Sequence, residues 1–253
     1  MNRQFDLRQV LLDSFEKTGV EWHIKGVVDG KGNLYTVSND TKLISKVFEL
    51  VAVPVIVEAL EPYIEKWESE ERQTVYPDLT LILPGELPNK IAIDIKSTYR
   101  KAGNRAGFTL GSYTAYMRPP FTKNIRYPYT DYQEHWIIGF IYSRVPGVKP
   151  DVVKITELDK IVAPIREVEL IIRQKWQIAS DRPGSGNTTN IGSITDIKEL
   201  RKGKGVFTRF GRKGKEVFED YWRNFDRNTP RKYNNLSEYL TWKKKVPSRL
   251  VKH

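Results

Sequence analysis

Three residues carry the chemistry this sequence offers most directly: Asp78, Asp94 and Lys96. Asp78 follows Pro77, fifteen residues separate it from Asp94, and Asp94 and Lys96 close the run Ile91-Ala92-Ile93-Asp94-Ile95-Lys96. Residues two apart on a strand project from the same face. If the strand opened by Asp78 pairs antiparallel with this run about a turn near Glu86, Asp78 comes to lie near Asp94. Two carboxylates and one ammonium then converge at one end of a hairpin. That set suits phosphodiester hydrolysis: hard oxygen donors hold Mg²⁺, which keeps several waters and bridges to phosphate. The cation acidifies a bound water, and a lysine neutralises charge that grows on the phosphoryl oxygens. A polar hairpin end with an ordinary ion pair would carry the same residues, so the spacing leaves both readings open. Glu49, between Phe48 and Leu50 in an apolar stretch, is a third candidate carboxylate. It is either a metal ligand or a solvent-facing helix position, since an unpaired charge inside is costly.

The inventory removes rival chemistries. There is no cysteine, so thiolate metal sites, disulfides and cysteine nucleophiles are excluded. The three histidines, His23, His135 and His253, are too scattered for a helical ligand pair. No apolar run reaches the roughly 18 residues of a membrane span. Arg3, Asp6, Arg8 and Asp13 break any signal-peptide core. The 253 residues suffice for one large domain with a real core.

The elements that must position the three residues are readable in outline. Apolar residues from Phe5 to Phe15 suit a short helix. Trp22 to Val37 alternates around Asp29-Gly30-Lys31-Gly32-Asn33, the pattern of a hairpin. That hairpin, residues 20–37, is either a dimerisation element or an exposed flap. Ser38-Asn39-Asp40 offers an N-cap for a long helix from Thr41 to Leu60, which Pro54 should kink or interrupt. Residues 65–74 are too polar to pack and read as a surface loop. Leu79–Leu83 and Ile91–Lys96 read as strands about a turn at 84–89, and Trp136–Tyr142 as a strand buried on both faces. Val168–Ile172 and Lys175–Ala179 read as further strands, with a loop after Ala179 and helices beyond. The pattern predicts a single α/β domain over 1–253, a mixed central β-sheet flanked by helices, with its catalytic core in 41–145.

The net charge of +11 is unevenly placed. Residues 198–253 hold 17 basic and 6 acidic side chains, while residues 1–197 hold 25 of each. The excess is interleaved with Phe207, Phe210, Tyr221, Trp222, Phe225, Tyr233, Tyr239 and Trp242. A basic, aromatic segment suggests phosphate contact by counterion release; a solvated helical face with a basic tail is the plainer reading. The loop at 180–193 contains Gly184-Ser185-Gly186-Asn187-Thr188-Thr189-Asn190, dense in short donors and acceptors. It is either a linker or a loop that reads base edges, since asparagine pairs with adenine and threonine offers a methyl to thymine.

Together these segments carry a resemblance. Pro77-Asp78 with Asp94-Ile95-Lys96 resembles the PD-(D/E)XK nuclease motif. Phe48-Glu49-Leu50, Tyr76-Pro77-Asp78, Phe108-Thr109-Leu110-Gly111, His135-Trp136-Ile137-Ile138-Gly139, the run Gly184 to Ser193, and Asp220-Tyr221-Trp222-Arg223-Asn224 resemble, in the same order, the EcoRV-type type II restriction endonucleases. The resemblance implies a restriction-endonuclease-like fold and a bacterial, cytoplasmic homodimer around duplex DNA, with a cognate methyltransferase in the host. It implies Mg²⁺-dependent cleavage of GATATC at the central TA step to blunt ends with 5′-phosphates, Mn²⁺ substituting. By position, Asp78, Asp94 and Glu49 become metal ligands and Lys96 the catalytic lysine. Gly184, Ser185, Gly186, Asn187, Thr188 and Asn190 match the major-groove loop, and Gln73 and Thr74 a minor-groove loop. Thr41, Lys42, Ser97, Thr98, Tyr99, Thr109 and Lys123 match positions near the DNA backbone. Thr74 and Arg72 stand where the family has asparagine and glutamine. A structure-specific repair nuclease and a DNA-binding protein without catalysis remain the rival functions.

Overall fold

The computed structural model describes residues 5–70, 72, 74–119, 124–184 and 189–245. Helix α1 (Leu7–Thr18) is capped by Asp6, whose carboxylate accepts from the Gln9 amide, and ends at left-handed Gly19. Strands β1 (Gly26–Val28) and β2 (Asn33–Thr36) form the expected hairpin. Helix α2 (Thr41–Leu60) starts where Asp40 accepts from the amides of Lys42 and Leu43. Pro54 lies inside it and does not interrupt it. Pro54 and Leu50 both lie on the solvent side, where a helical carbonyl without its donor is least costly.

The central sheet has five strands in the order β3-β4-β5-β7-β9. These are β3 (Lys66–Ser69), β4 (Leu79–Ile82), β5 (Lys90–Tyr99), β7 (Tyr132–Arg144) and β9 (Ile165–Gln174). The β5–β7 pair is parallel and the other pairs are antiparallel, which makes the sheet mixed. Two three-stranded sheets flank it. One sets β8 (Val152–Lys154) beside the β1–β2 hairpin. The other runs β10-β11-β6, from β6 (Thr109–Ser112), β10 (Ala179–Pro183) and β11 (Asn190–Ser193).

Each face of the central sheet is covered by a different layer. Helices α1 and α2 cover one, where Phe48 stacks on Phe140 at 4.6 Å beside Trp22. The other is covered by β6, the turn α3 (Tyr113–Tyr116), α5 (Ile197–Lys202), α6 (Gly214–Asn224) and α7 (Leu236–Lys245). On β7, Gly139 leaves room for the Phe108 ring, which lies 2.6 Å from where a Cβ would stand. The fold is thus the predicted α/β architecture, with three local corrections. Residues 66–69 of the expected loop are edge strand β3, whose charges make it soluble on its open side. Lys175–Ile178, expected as strand, is the helical turn α4, closed by reciprocal bonds between Gln174 and Gln177. Within the expected loop at 180–193, β10 and β11 pair on either side of the tip.

The C-terminal aromatic residues are also not a surface. Phe207, Tyr221, Trp222, Phe225, Tyr233 and Tyr239 are buried and pack edge to face on one another as core. Their basic neighbours Arg201, Lys202, Lys204, Arg209, Arg212 and Lys213 stay exposed. The charge remains available to a polyanion, but base stacking by these buried rings is excluded.

Candidate active site

Antiparallel pairing of β4 with β5 sets Leu79 opposite Ile93, which brings Asp78 beside Asp94 as the spacing predicts. The Lys96 ammonium lies 2.7 Å from Asp94 Oδ1 and 3.7 Å from Asp78 Oδ2. The Ile95 amide donates to Asp78 Oδ2 at 2.6 Å, so backbone between the other two residues holds the first. The Asp94 side chain is only 4% exposed, against 25% for Asp78 and 29% for Lys96. The cluster therefore has a closed floor and an open rim, the arrangement a phosphate group needs.

Its electrostatics are unsettled by design of the burial. Desolvation pushes the Asp78 carboxyl up to about 7; attraction to Lys96 and the Ile95 bond oppose the rise, and repulsion from Asp94 and Glu49 adds to it. Burial alone would lower Lys96, but the Asp94 and Asp78 carboxylates outweigh it and hold the ammonium above its ordinary range. Asp94 Oδ2 is buried and accepts no hydrogen bond. A buried carboxylate oxygen without a donor, facing a second carboxylate that sheds its proton only near neutrality, fits a divalent cation. Among the described residues, no group of three or more acidic or histidine side chains could surround one ion. The protein donors would thus be two, with water or phosphate supplying the rest.

Glu49 lies on α2, with Lys46 Nζ 2.6 Å from its carboxylate. It is near enough to repel charge on Asp78 but does not join the pair. Ser97 leaves the cluster along β5 and shares a 2.6 Å hydrogen bond with Ser45 of α2. Thr98 and Tyr99 follow it, half-buried, and Arg144 stacks on the Tyr99 ring at 3.7 Å. Thr41 and Lys42 are exposed at the start of α2, and Thr74 is exposed beyond β3. Gly184 donates to the Asn190 carbonyl at 2.8 Å and closes the base of the 184–190 loop. Thr109 of β6 pairs with Gly192, and Asn190 with Ser112, which joins this hairpin to the layer that covers the central sheet. Gln73, Lys123, Ser185, Gly186, Asn187 and Thr188 lie outside the described residues.

Spacing gave no sign of a second polar cluster behind the first. Lys175, Tyr76 and His135 are all buried, with Lys175 donating to the Tyr76 hydroxyl at 2.8 Å. Tyr76 adjoins the motif in sequence, but the other two arrive from β7 and α4, which only the assembled sheet brings together.

A family profile described as restriction endonuclease EcoRV matches residues 18–244. The type II restriction enzyme EcoRV of Escherichia coli is 41% identical over 243 residues, 93% of this chain and 97% of that protein. The NlaIV restriction endonuclease superposes with a TM-score of 0.36 at 12% identity, over 87% of this chain and 89% of that one, too loosely to bear on the fold. With its length matched almost end to end, the chain belongs to the EcoRV family of type II restriction endonucleases and is a site-specific deoxyribonuclease.

Proposed function

We propose that the chain hydrolyses both strands of duplex DNA at GATATC, at the central TA step, leaving blunt ends with 5′-phosphates, and that it requires Mg²⁺, for which Mn²⁺ substitutes. The observation that carries this reading is the convergence of Asp78, Asp94 and Lys96 at an open rim. Asp78 and Asp94 would hold the cation between them. When bound, it supplies an acidified water and offsets charge on the phosphoryl oxygens. Lys96, kept charged by both carboxylates, donates toward the non-bridging oxygens and balances the charge that grows there. Asp78 is poised to exchange a proton for the cation near neutrality. Glu49 acts on this site through its field on Asp78 and is the third candidate ligand.

The 184–190 loop is assigned the major-groove contacts of GATATC, with Gly184, Ser185, Gly186, Asn187, Thr188 and Asn190 as its readers. Gln73 and Thr74 take the minor groove, and Thr41, Lys42, Ser97, Thr98, Tyr99, Thr109 and Lys123 the backbone. TA is a flexible step, so bending there costs less and brings the scissile phosphate to the carboxylates. A palindrome calls for a two-fold enzyme in which each subunit cuts one strand. The sheet β1-β2-β8 supports such a homodimer. It exposes Val27, Val28, Tyr35 and Val152, an apolar set on one small sheet. The protein then acts in a bacterial cytoplasm beside a methyltransferase that protects the same sequence.

Digestion of paired plasmids with and without GATATC in Mg²⁺, followed by end sequencing, tests this reading. Cutting confined to the site, with flush ends, is the expected result. Equal cutting of both plasmids would favour a structure-specific nuclease, and binding without any turnover a protein that has lost catalysis.

A further inference from the structure

The buried cluster behind the carboxylates has geometry that the reaction described above does not use. Tyr76 immediately precedes Pro77-Asp78 and is gripped from several sides. Its amide donates to Asn124 and its carbonyl accepts from Arg126, both at 2.9 Å. Its ring stacks on Tyr116, with centroids 4.7 Å apart and planes 17° from parallel. Gly111, at φ +89°, makes that stack possible, because a Cβ there would stand 2.9 Å from the Tyr116 ring. The hydroxyl lies between Lys175 Nζ at 2.8 Å and His135 Nδ1 at 2.7 Å.

The direction of these bonds follows from protonation. Desolvation drives His135 well below its ordinary range, with Lys175 and Lys215 adding to the effect, so its ring is neutral. With its one proton on Nε2, the neutral ring accepts at Nδ1 and the tyrosine hydroxyl is its donor. As an ammonium, Lys175 has no lone pair and can only donate to that oxygen, so the order is Lys175 to Tyr76 to His135. Burial lowers Lys175 to about 7; Asp94 opposes the drop, Lys96 adds to it, and Asp78 opposes it. The same nitrogen lies 4.0 Å from the centre of the Tyr76 ring. A lysine 2% exposed is costly to keep, and here it is spent on one hydroxyl.

We propose that Lys175 is a positioning residue for cleavage: through the Tyr76 hydroxyl it fixes the backbone that leads into Asp78 and so sets that carboxylate's distance to Asp94. The proposal rests on the nuclease reading above and adds a residue far outside the motif. Partners that orient a ligand side chain are typically worth about tenfold to a hundredfold in activity.

The test is single-turnover cleavage of a short GATATC duplex by wild type, Lys175→Met, Tyr76→Phe and the double variant. DNA affinity in Ca²⁺ and the thermal midpoint are measured alongside. Methionine keeps the stem that packs, and phenylalanine keeps the stacked ring. Each single variant is expected to lose about tenfold to a hundredfold in rate. DNA affinity should stay within about threefold and the midpoint should not fall in step with rate. The double variant should be no slower than the slower single one, because both remove the same bond. Wild-type rates in Tyr76→Phe, or losses that multiply in the double variant, would overturn the proposal. Should Lys175→Met fail to fold, Tyr76→Phe still decides it. A wild-type protein that cuts no duplex would instead overturn the nuclease reading.

Discussion

Glu68 on β3 and Asp78, just ahead of the neighbouring β4, lie along one sheet, yet their protons are held in opposite ways. Glu68 on β3 accepts from Lys66, Arg126 and Tyr127, each at 2.8 Å, and these partners bring its carboxyl down to about 2, with the Lys66 bond foremost and burial opposing. Asp78 has one amide bond and a lysine already claimed by Asp94, and burial takes it up to about 7. The difference lies in partner supply, not in residue type. At the edge strand every carboxylate oxygen has a donor, so the cluster is structural and finished. At the β4–β5 junction a buried oxygen of Asp94 has none, and such a cluster is complete only with something the chain does not itself provide.

The strongest test of that contrast is Asp94→Ala. If Asp94 holds the cation as proposed, its loss should lower cleavage about a thousandfold or more, while DNA binding in Ca²⁺ changes far less. A variant that cuts normally would make the Asp94 oxygen an ordinary packing defect. Next comes Asp78→Asn without metal. Because the folded carboxyl is raised, the folded state keeps a proton that the unfolded chain loses above about 4, so stability falls as pH climbs from about 4 to about 7 and stays reduced above. Asparagine removes that penalty, and the variant should melt several degrees above wild type at pH 8 but match it near pH 4, by calorimetry. An unchanged melting difference across that range would break the assignment.

The partnered cluster should behave in reverse. Glu68→Gln is expected to cost about 1 kcal/mol near neutral pH, a modest figure because the group lies near solvent. Its depressed carboxyl contributes fully above about 4.5 and loses that contribution as pH falls through about 2. Denaturant titrations at pH 7 and pH 2.5 should show the cost shrinking at the lower value. The smallest effect belongs to Glu49→Gln, which removes a Lys46 pair worth about 0.3–0.5 kcal/mol. Cleavage lowered as far as in Asp94→Ala would promote Glu49 to a ligand; a change under about tenfold would leave it a source of field alone.

Short-range patterns made the hairpin that carries the candidate site visible. Asp78, the turn at 84–89 and Asp94-Ile95-Lys96 lie within one supersecondary unit, so spacing and alternation determine which side chains meet. The long α2 helix was equally plain from its cap and apolar content, although Pro54 argued for a kink or a break, and the helix runs through it on its exposed side. What escaped were features whose partners are remote. Lys66-Trp67-Glu68-Ser69 looks unpackable alone, but an edge strand needs only β4 on one side and Arg126 for its charge. Lys175 looked like part of a strand because nothing near it tells that β7 and Tyr76 close over it. The aromatic residues of the basic segment carried a surface pattern and a core pattern at once, and packing against β6 and β11 decided for the core.

One bond in the site also makes a natural reporter. The Ile95 amide hydrogen points at Asp78 Oδ2, so its magnetic shielding follows whatever happens to that oxygen. Protonation and capture of a cation each withdraw a different amount of electron density from the acceptor, and ionisation returns it. A single ¹⁵N-labelled isoleucine would therefore let the occupancy of the centre be followed by resonance frequency in the resting enzyme, before any strand is cut.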